Sequence, residues 1–208
     1  MSQKIEYSVS SRDVTRKGAE RVSEIVRAGA EILQEEGFSA VTKRRVAERV
    51  GIAHGNVGYY FPTRESLWRA VVDSELSKID DKYSSDLETA VDDPQSCFDE
   101  YLAGYIDEYE DGEFRPFFAH VGAYAETNSA VATLRDEMYE RILQRIIERV
   151  RPLCPKVNDE QVELRAVAVM AFLEGLGSVS AFRPELVARG NHFREQAIEQ
   201  ANAIVRGG

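Results

Sequence analysis

Cysteine is nearly missing from this chain: Cys97 and Cys154 are the only two in 208 residues. They lie far apart and in no metal or redox spacing, so a disulfide framework or zinc site has nothing to build on, and reduced, inert thiols are expected. Histidine is scarce too, with His54, His120 and His192 forming no pair at ligand spacing. No glycine-rich phosphate loop and no nucleophile signature accompany them, which leaves enzyme chemistry without its usual parts; neither a metal nor a cofactor is expected. No run of 18 apolar residues occurs, and the opening MSQKIEYSVSSRDVTRKG has no apolar stretch of the kind a secretory signal needs. The expectation is a cytoplasmic protein with no membrane partner. Also missing are the alternating apolar and polar pattern of strands, internal repeats and low-complexity tracts. What remains is an ordinary globular composition, 43% hydrophobic.

The net charge of −10 is unevenly spread. Residues 1–62 hold ten Lys/Arg against eight Asp/Glu, leaving 16 against 28 for residues 63–208. Within the first part the positive charge is bunched, with Arg12, Arg16, Lys17 and Arg21 leading in and Lys43, Arg44, Arg45 and Arg49 following. Two basic clusters on an acidic molecule point to a polyanionic partner for that segment alone.

Periodicity predicts an all-α protein of about nine helices. Residues 1–14 are polar and aperiodic, a flexible arm. From Thr15 to Glu36, Val22, Ile25, Val26, Gly29, Ile32 and Leu33 recur at intervals of three and four, the mark of an amphipathic helix. Gly37 suits a left-handed C-cap, Phe38 folds back, and Thr42 caps a second helix that turns Val46, Ala47 and Val50 inward. Gly51 ends it. A third helix runs from Ala53 to Phe61, where Pro62 stops it. Further helices are expected over Arg64 to Ala90, Pro94 to Tyr109, Glu113 to Thr127, Ser129 to Arg151, Asp159 to Phe182 and Asn191 to Arg206.

The segment VTKRRVAERVGIAHGNVGYYFPTRESL, residues 41–67, reads as a helix-turn-helix on physical grounds. Ala47 permits a close crossing, Gly51 gives the sharp turn, and Ile52 and Val57 bury the joint. The next helix then presents His54, Asn56 and Tyr59 outward. Asn pairs with an adenine edge, and His and Tyr reach bases or phosphates, so this face suits a major groove. Taken alone, the pattern is as compatible with an ordinary helical hairpin in a core.

The continuation narrows the choice. The order of amphipathic helix, Glu36-Gly37-Phe38, Thr42, Val46-Ala47, Val50-Gly51-Ile52, Gly55 and then YYFPTRESL resembles the DNA-binding domain of the TetR family of repressors over about Arg21 to Val72. The resemblance implies phosphate contacts at Thr42, Lys43 and Arg44, and at Tyr60 and Arg64, with His54, Gly55, Asn56 and Tyr59 meeting base edges. The sequence departs from the family at Gly58, where Tyr is usual, and at Tyr59, where His is common. Glycine there costs about 1 kcal/mol relative to Ala, which suggests a recognition helix fully ordered only on DNA. Phe61 is expected in the core.

The organisation that follows is an arm (1–14), a three-helix helix-turn-helix domain (15–62) and a helical ligand-binding and dimerisation domain (63–208). Residues 162–182 are apolar nearly all round, which an exposed helix of a monomer does not tolerate. Either it is buried within its own chain, or it pairs with the last helix and a second copy in the four-helix interface the family uses; Phe172, Leu176, Val179, Phe193 and Ile198 are the candidate contacts. The middle helices carry many rings. Stripes of this kind are usually core, but their polar tips suit a pocket for a small apolar or aromatic effector, which the family resemblance puts in this region. Tyr101, Tyr105, Phe118, His120 and Tyr124 are the candidate walls, although His120 also reads as a satisfied helix histidine. The expected function is a homodimeric repressor released from a palindromic double-stranded operator by its effector. The alternative is a helical small-molecule-binding protein with weak or lost DNA binding.

Overall fold

The computed structural model describes residues 16–83, 93–111, 115–187 and 189–207, and every regular element among them is helical. In order these are α1 (Arg16–Glu36), a 3-10 turn (Phe38–Ala40), α2 (Lys43–Val50), α3 (His54–Tyr60), α4 (Arg64–Tyr83) and α5 (Pro94–Asp111). Then come α6 (Arg115–Ala125), α7 (Ser129–Leu153), α8 (Asp159–Phe182), α9 (Pro184–Val187) and α10 (Asn191–Arg206). All nine expected helices are present. The additional one, α9, is a single turn started by Pro184, too short to leave a periodic signal. The expected arm 1–14, the end of the fourth helix toward Ala90, and residues 113–114 lie outside the described residues.

The chain forms two compact units, residues up to Ile79 with Phe117–Arg135, and Asp80–Pro116 with Asp136–Gly208. The first is larger than the expected 15–62 segment because α4 and α6 supply its core. Ile25, Ile32 and Leu33 of α1, Val46 of α2, Val57 of α3 and Leu67 of α4 are fully buried. Trp68 is buried at their centre, where its Nε1 donates to the Val41 carbonyl at 2.9 Å. Phe38 meets the Trp68 ring edge-on at 5.1 Å, and Tyr124 of α6 stacks on Phe38 at 5.7 Å. Gly37 sits at φ 86°, ψ 170°, a positive-φ region outside the left-handed helical well and open to glycine almost alone. The expected left-handed cap at Gly37 is corrected in that respect; the ring of His120 packs so close that a Cβ there would lie 3.2 Å from Nδ1.

In the second unit α5, α8 and α10 pack on one another. Phe98, Leu102, Val162, Ala166, Val169 and Ala201 are fully buried. Asn202, buried on α10, accepts from Gln95 Nε2 at 2.7 Å and donates to Asp99 at 2.7 Å, so the one polar side chain at the α5–α10 contact is satisfied on both sides.

Candidate nucleic-acid interface

The helix-turn-helix is assembled by short-range chemistry. Thr42 Oγ1 accepts from the Arg45 amide at 3.1 Å and caps α2 as expected. Gly51, at φ 74° and ψ 34°, closes that helix in the left-handed conformation. Ile52 N–H bonds back to the Ala47 carbonyl at 3.0 Å, and α3 then starts after Ala53. Val57 is the fully buried anchor of α3, and Phe61 behind it is core. His54, Gly55, Asn56 and Tyr59 are therefore exposed together, Tyr59 at 65%. Tyr60 is half-buried and meets Tyr59 edge-on at 5.0 Å. The α3 helix is formed without DNA, contrary to the expectation that Gly58 would leave it incomplete; the Val57 anchor and the turn bonds offset the glycine.

The basic residues do not behave alike. Arg44 stands furthest out, 83% exposed, with Glu48 4.0 Å away. Lys43 donates to the Pro62 carbonyl, which ties the start of α2 to the turn before α4. Arg45 makes a bidentate pair with Glu36 at 2.9 and 3.0 Å, and Arg49 one with Glu35 at 2.7 and 3.2 Å. These bonds hold the Glu35 carboxyl below its ordinary range and raise both guanidinium groups above theirs. The C-terminal end of α1 thus neutralises half of the second basic cluster, a pairing across 9 to 14 residues that no local pattern announces. Arg64 donates to the Val41 and Ser39 carbonyls at 3.2 and 2.5 Å and lies 4.5 Å over the Trp68 ring. It clamps α4 to the α1–α2 connection, a job the sequence reading had not given it.

The candidate pocket residues divide between the two units. Phe118, His120 and Tyr124 belong to the first, where Tyr124 fills the Phe38–Trp68 cluster rather than facing a ligand; it is corrected to a core residue. Tyr101 and Tyr105 belong to the second, Tyr101 buried beneath the Arg149 guanidinium and Tyr105 half-buried with its hydroxyl on Glu174. Ring content along the sequence could not separate them, because which helix a ring meets depends on packing between distant segments.

Of the candidate dimer contacts, Val179 is 45% exposed, whereas Phe172, Leu176, Phe193 and Ile198 are half-buried. Ala197, Ala201 and Val205 of α10 are spent inside their own unit, where that helix meets α5 and α8. The exposed apolar row of α8 is instead Leu164, Val167, Ala171, Val179 and Phe182, with Leu164 at 62% and Phe182 at 77%. Its three and four residue spacing was available in the sequence, but an all-apolar helix gives no phase from which to choose the outer face.

Residues 25–71 match the signature of the family described as bacterial regulatory proteins, tetR family. No curated protein matches the chain. Among solved structures, a putative transcriptional regulator from Pseudomonas aeruginosa is 16% identical, covering 91% of this chain and 90% of that one with a TM-score of 0.73. A putative TetR-family regulator from Rhodococcus is 19% identical over 90% and 99%, also at 0.73. A putative transcriptional regulator from Saccharomonospora viridis, solved in complex with choline, is 18% identical over 91% and 97% at 0.62. With the helix-turn-helix signature matched and the helical fold shared over nine tenths of its length, the chain is a transcriptional regulator of the TetR family.

Proposed function

We propose that this regulator is a homodimeric repressor that occupies a near-palindromic operator and leaves it when a small molecule binds the helical region. The observation that carries the reading is α3, which turns His54, Asn56 and Tyr59 to solvent on a helix held by one buried anchor. Arg44, Lys43 and the α2 N-terminus beside it suit phosphates, and Asn56 suits an adenine edge. Dimerisation is supported by the apolar row on α8, since a charged, hydrated surface does not otherwise keep Leu164 and Phe182 this exposed. Two recognition helices then meet successive major grooves about 34–36 Å apart. Small-molecule control is supported by the choline complex of the Saccharomonospora neighbour. Coupling between effector and operator is expected at about 1–3 kcal/mol, roughly 5- to 150-fold in affinity, and reciprocal.

A duplex selected from a random pool by the full-length protein, titrated at several salt concentrations, tests the reading. A palindromic consensus bound far more tightly than a scrambled duplex is expected; equal affinity for both overturns it. A second reading, a helical small-molecule binder with weak DNA binding, draws on Arg45, Arg49 and Arg64 being engaged within the chain. Flat salt dependence in the same titration would favour it.

A further inference from the structure

The second unit contains a carboxylate that its own chain does not neutralise. Glu174, half-buried on α8, accepts a hydrogen bond from Tyr105 Oη of α5 at 3.2 Å, and that neutral phenol is its one polar partner among the described residues. Burial pushes its carboxyl above the ordinary range, and the Tyr105 bond offsets this only in part. Glu75, the buried carboxylate of the first unit, is treated differently: Lys78 Nζ lies 2.6 Å away and Gln34 Nε2 3.1 Å away. Beside Glu174 the rings of Tyr105 and Tyr101 are 6.3 Å apart and inclined by 47°, so they adjoin without stacking face to face. One of them already hosts a cation, since Arg149 Cζ lies 4.4 Å over the Tyr101 ring. The nearby Arg194 is engaged with Asp107.

We propose that Glu174, Tyr105 and Tyr101 form the effector site of this regulator and that the effector is an organic cation, an alkylated or quaternary ammonium. Its charge sits against the Glu174 carboxylate and its alkyl groups against the tyrosine rings, on the side away from Arg149. A partly desolvated carboxylate attracts a cation more strongly than one in water, and ring faces add their own attraction. An anion would meet Glu174 at close range, and a neutral apolar molecule would deepen its burial without a counter-charge. The inference rests on the effector-controlled reading above and replaces its apolar or aromatic ligand with a cationic one.

The test uses the purified full-length chain and three cations, tetraethylammonium, benzyltrimethylammonium and spermidine, against neutral benzyl alcohol and the anions benzoate and decanoate. Thermal shift followed by calorimetry is expected to find binding by at least one cation, weakened roughly tenfold or more in Glu174→Gln, a change of about 1.4 kcal/mol or more. Gln keeps an acceptor for Tyr105 Oη, so the fold is expected to persist. A second readout needs no variant. The cation requires an ionised Glu174, so its affinity in the wild type must fall as pH drops through the raised pKa of that group. Failure of all three cations to bind, unchanged cation affinity in Glu174→Gln, or a flat pH profile overturns the proposal. Operator binding, measured separately, keeps the two readings apart. Cation binding that leaves operator affinity intact supports the site and overturns effector release; release by benzoate or decanoate with no cation bound does the reverse.

Discussion

Helices α3 and α8 both leave residues of unusual size outside, and they do so in opposite ways. The seven residues of α3 expose His54, Asn56 and Tyr59, each with a polar tip, around a single buried valine. The 24 residues of α8 bury one face in their own unit and expose Leu164, Val167, Val179 and Phe182 on another. A partner for α3 must be hydrated and charged, and its affinity must fall with salt as counterions are no longer released. A partner for α8 must be dry, with stabilisation of about 25 cal/mol per Å² of apolar surface covered and little response to salt. The two surfaces thus divide recognition of DNA from recognition of a second copy.

The contrast can be broken most forcefully from inside the first unit. Trp68→Ala empties the site where α4, the Val41 carbonyl, Phe38 and Tyr124 converge, and is expected to cost about 3–5 kcal/mol in urea unfolding. A loss below roughly 1 kcal/mol would mean that the ring cluster is not what joins α6 to the helix-turn-helix. Next comes α8. Val179→Glu puts a charge into the apolar row, and the dimer constant in sedimentation is expected to weaken by about a hundredfold or more, with the monomer still helical. An unchanged constant would assign that face to some other use.

Smaller effects sharpen the account of α3. Asn56→Ala is expected to relax base preference at one operator position by about 1–3 kcal/mol, whereas Arg44→Ala lowers affinity for every duplex and reduces the salt slope by about one unit. Arg45→Ala is the control. Its guanidinium is committed to Glu36, so the slope should barely move; a slope reduced as much as in Arg44→Ala would show that the ion pair opens on DNA. The smallest change is Gly58→Ala. Nothing lies within 4 Å of a Cβ built there, so the variant should melt higher by about 1 kcal/mol in stability if its only effect is on helix propensity.

The helix-turn-helix was legible in the sequence because its parts are local. Thr42, Gly51, Val57 and Pro62 act within a few residues of themselves, and cap, turn, anchor and stop follow from their chemistry. The all-helical class was legible for the same reason, through periods of three and four. The pocket was not. Tyr101 and Tyr124 look alike in a helical stripe, yet one lies under Arg149 and the other fills the Phe38–Trp68 cluster. Glu174 had no sequence signal at all, being one glutamate among many until Tyr105 met it across 69 residues.

By itself the sequence determined the helices, the groove-facing residues of α3 and the presence of an apolar helix near the C-terminus, since each depends on neighbours along the chain. Only the tertiary structure decided which cations stay available to DNA, which face of α8 is left uncovered and which ring joins which unit. Those outcomes depend on segments brought together from far apart, and the free energy that selects among them, burial and ion pairing across tens of residues, has no counterpart in local pattern.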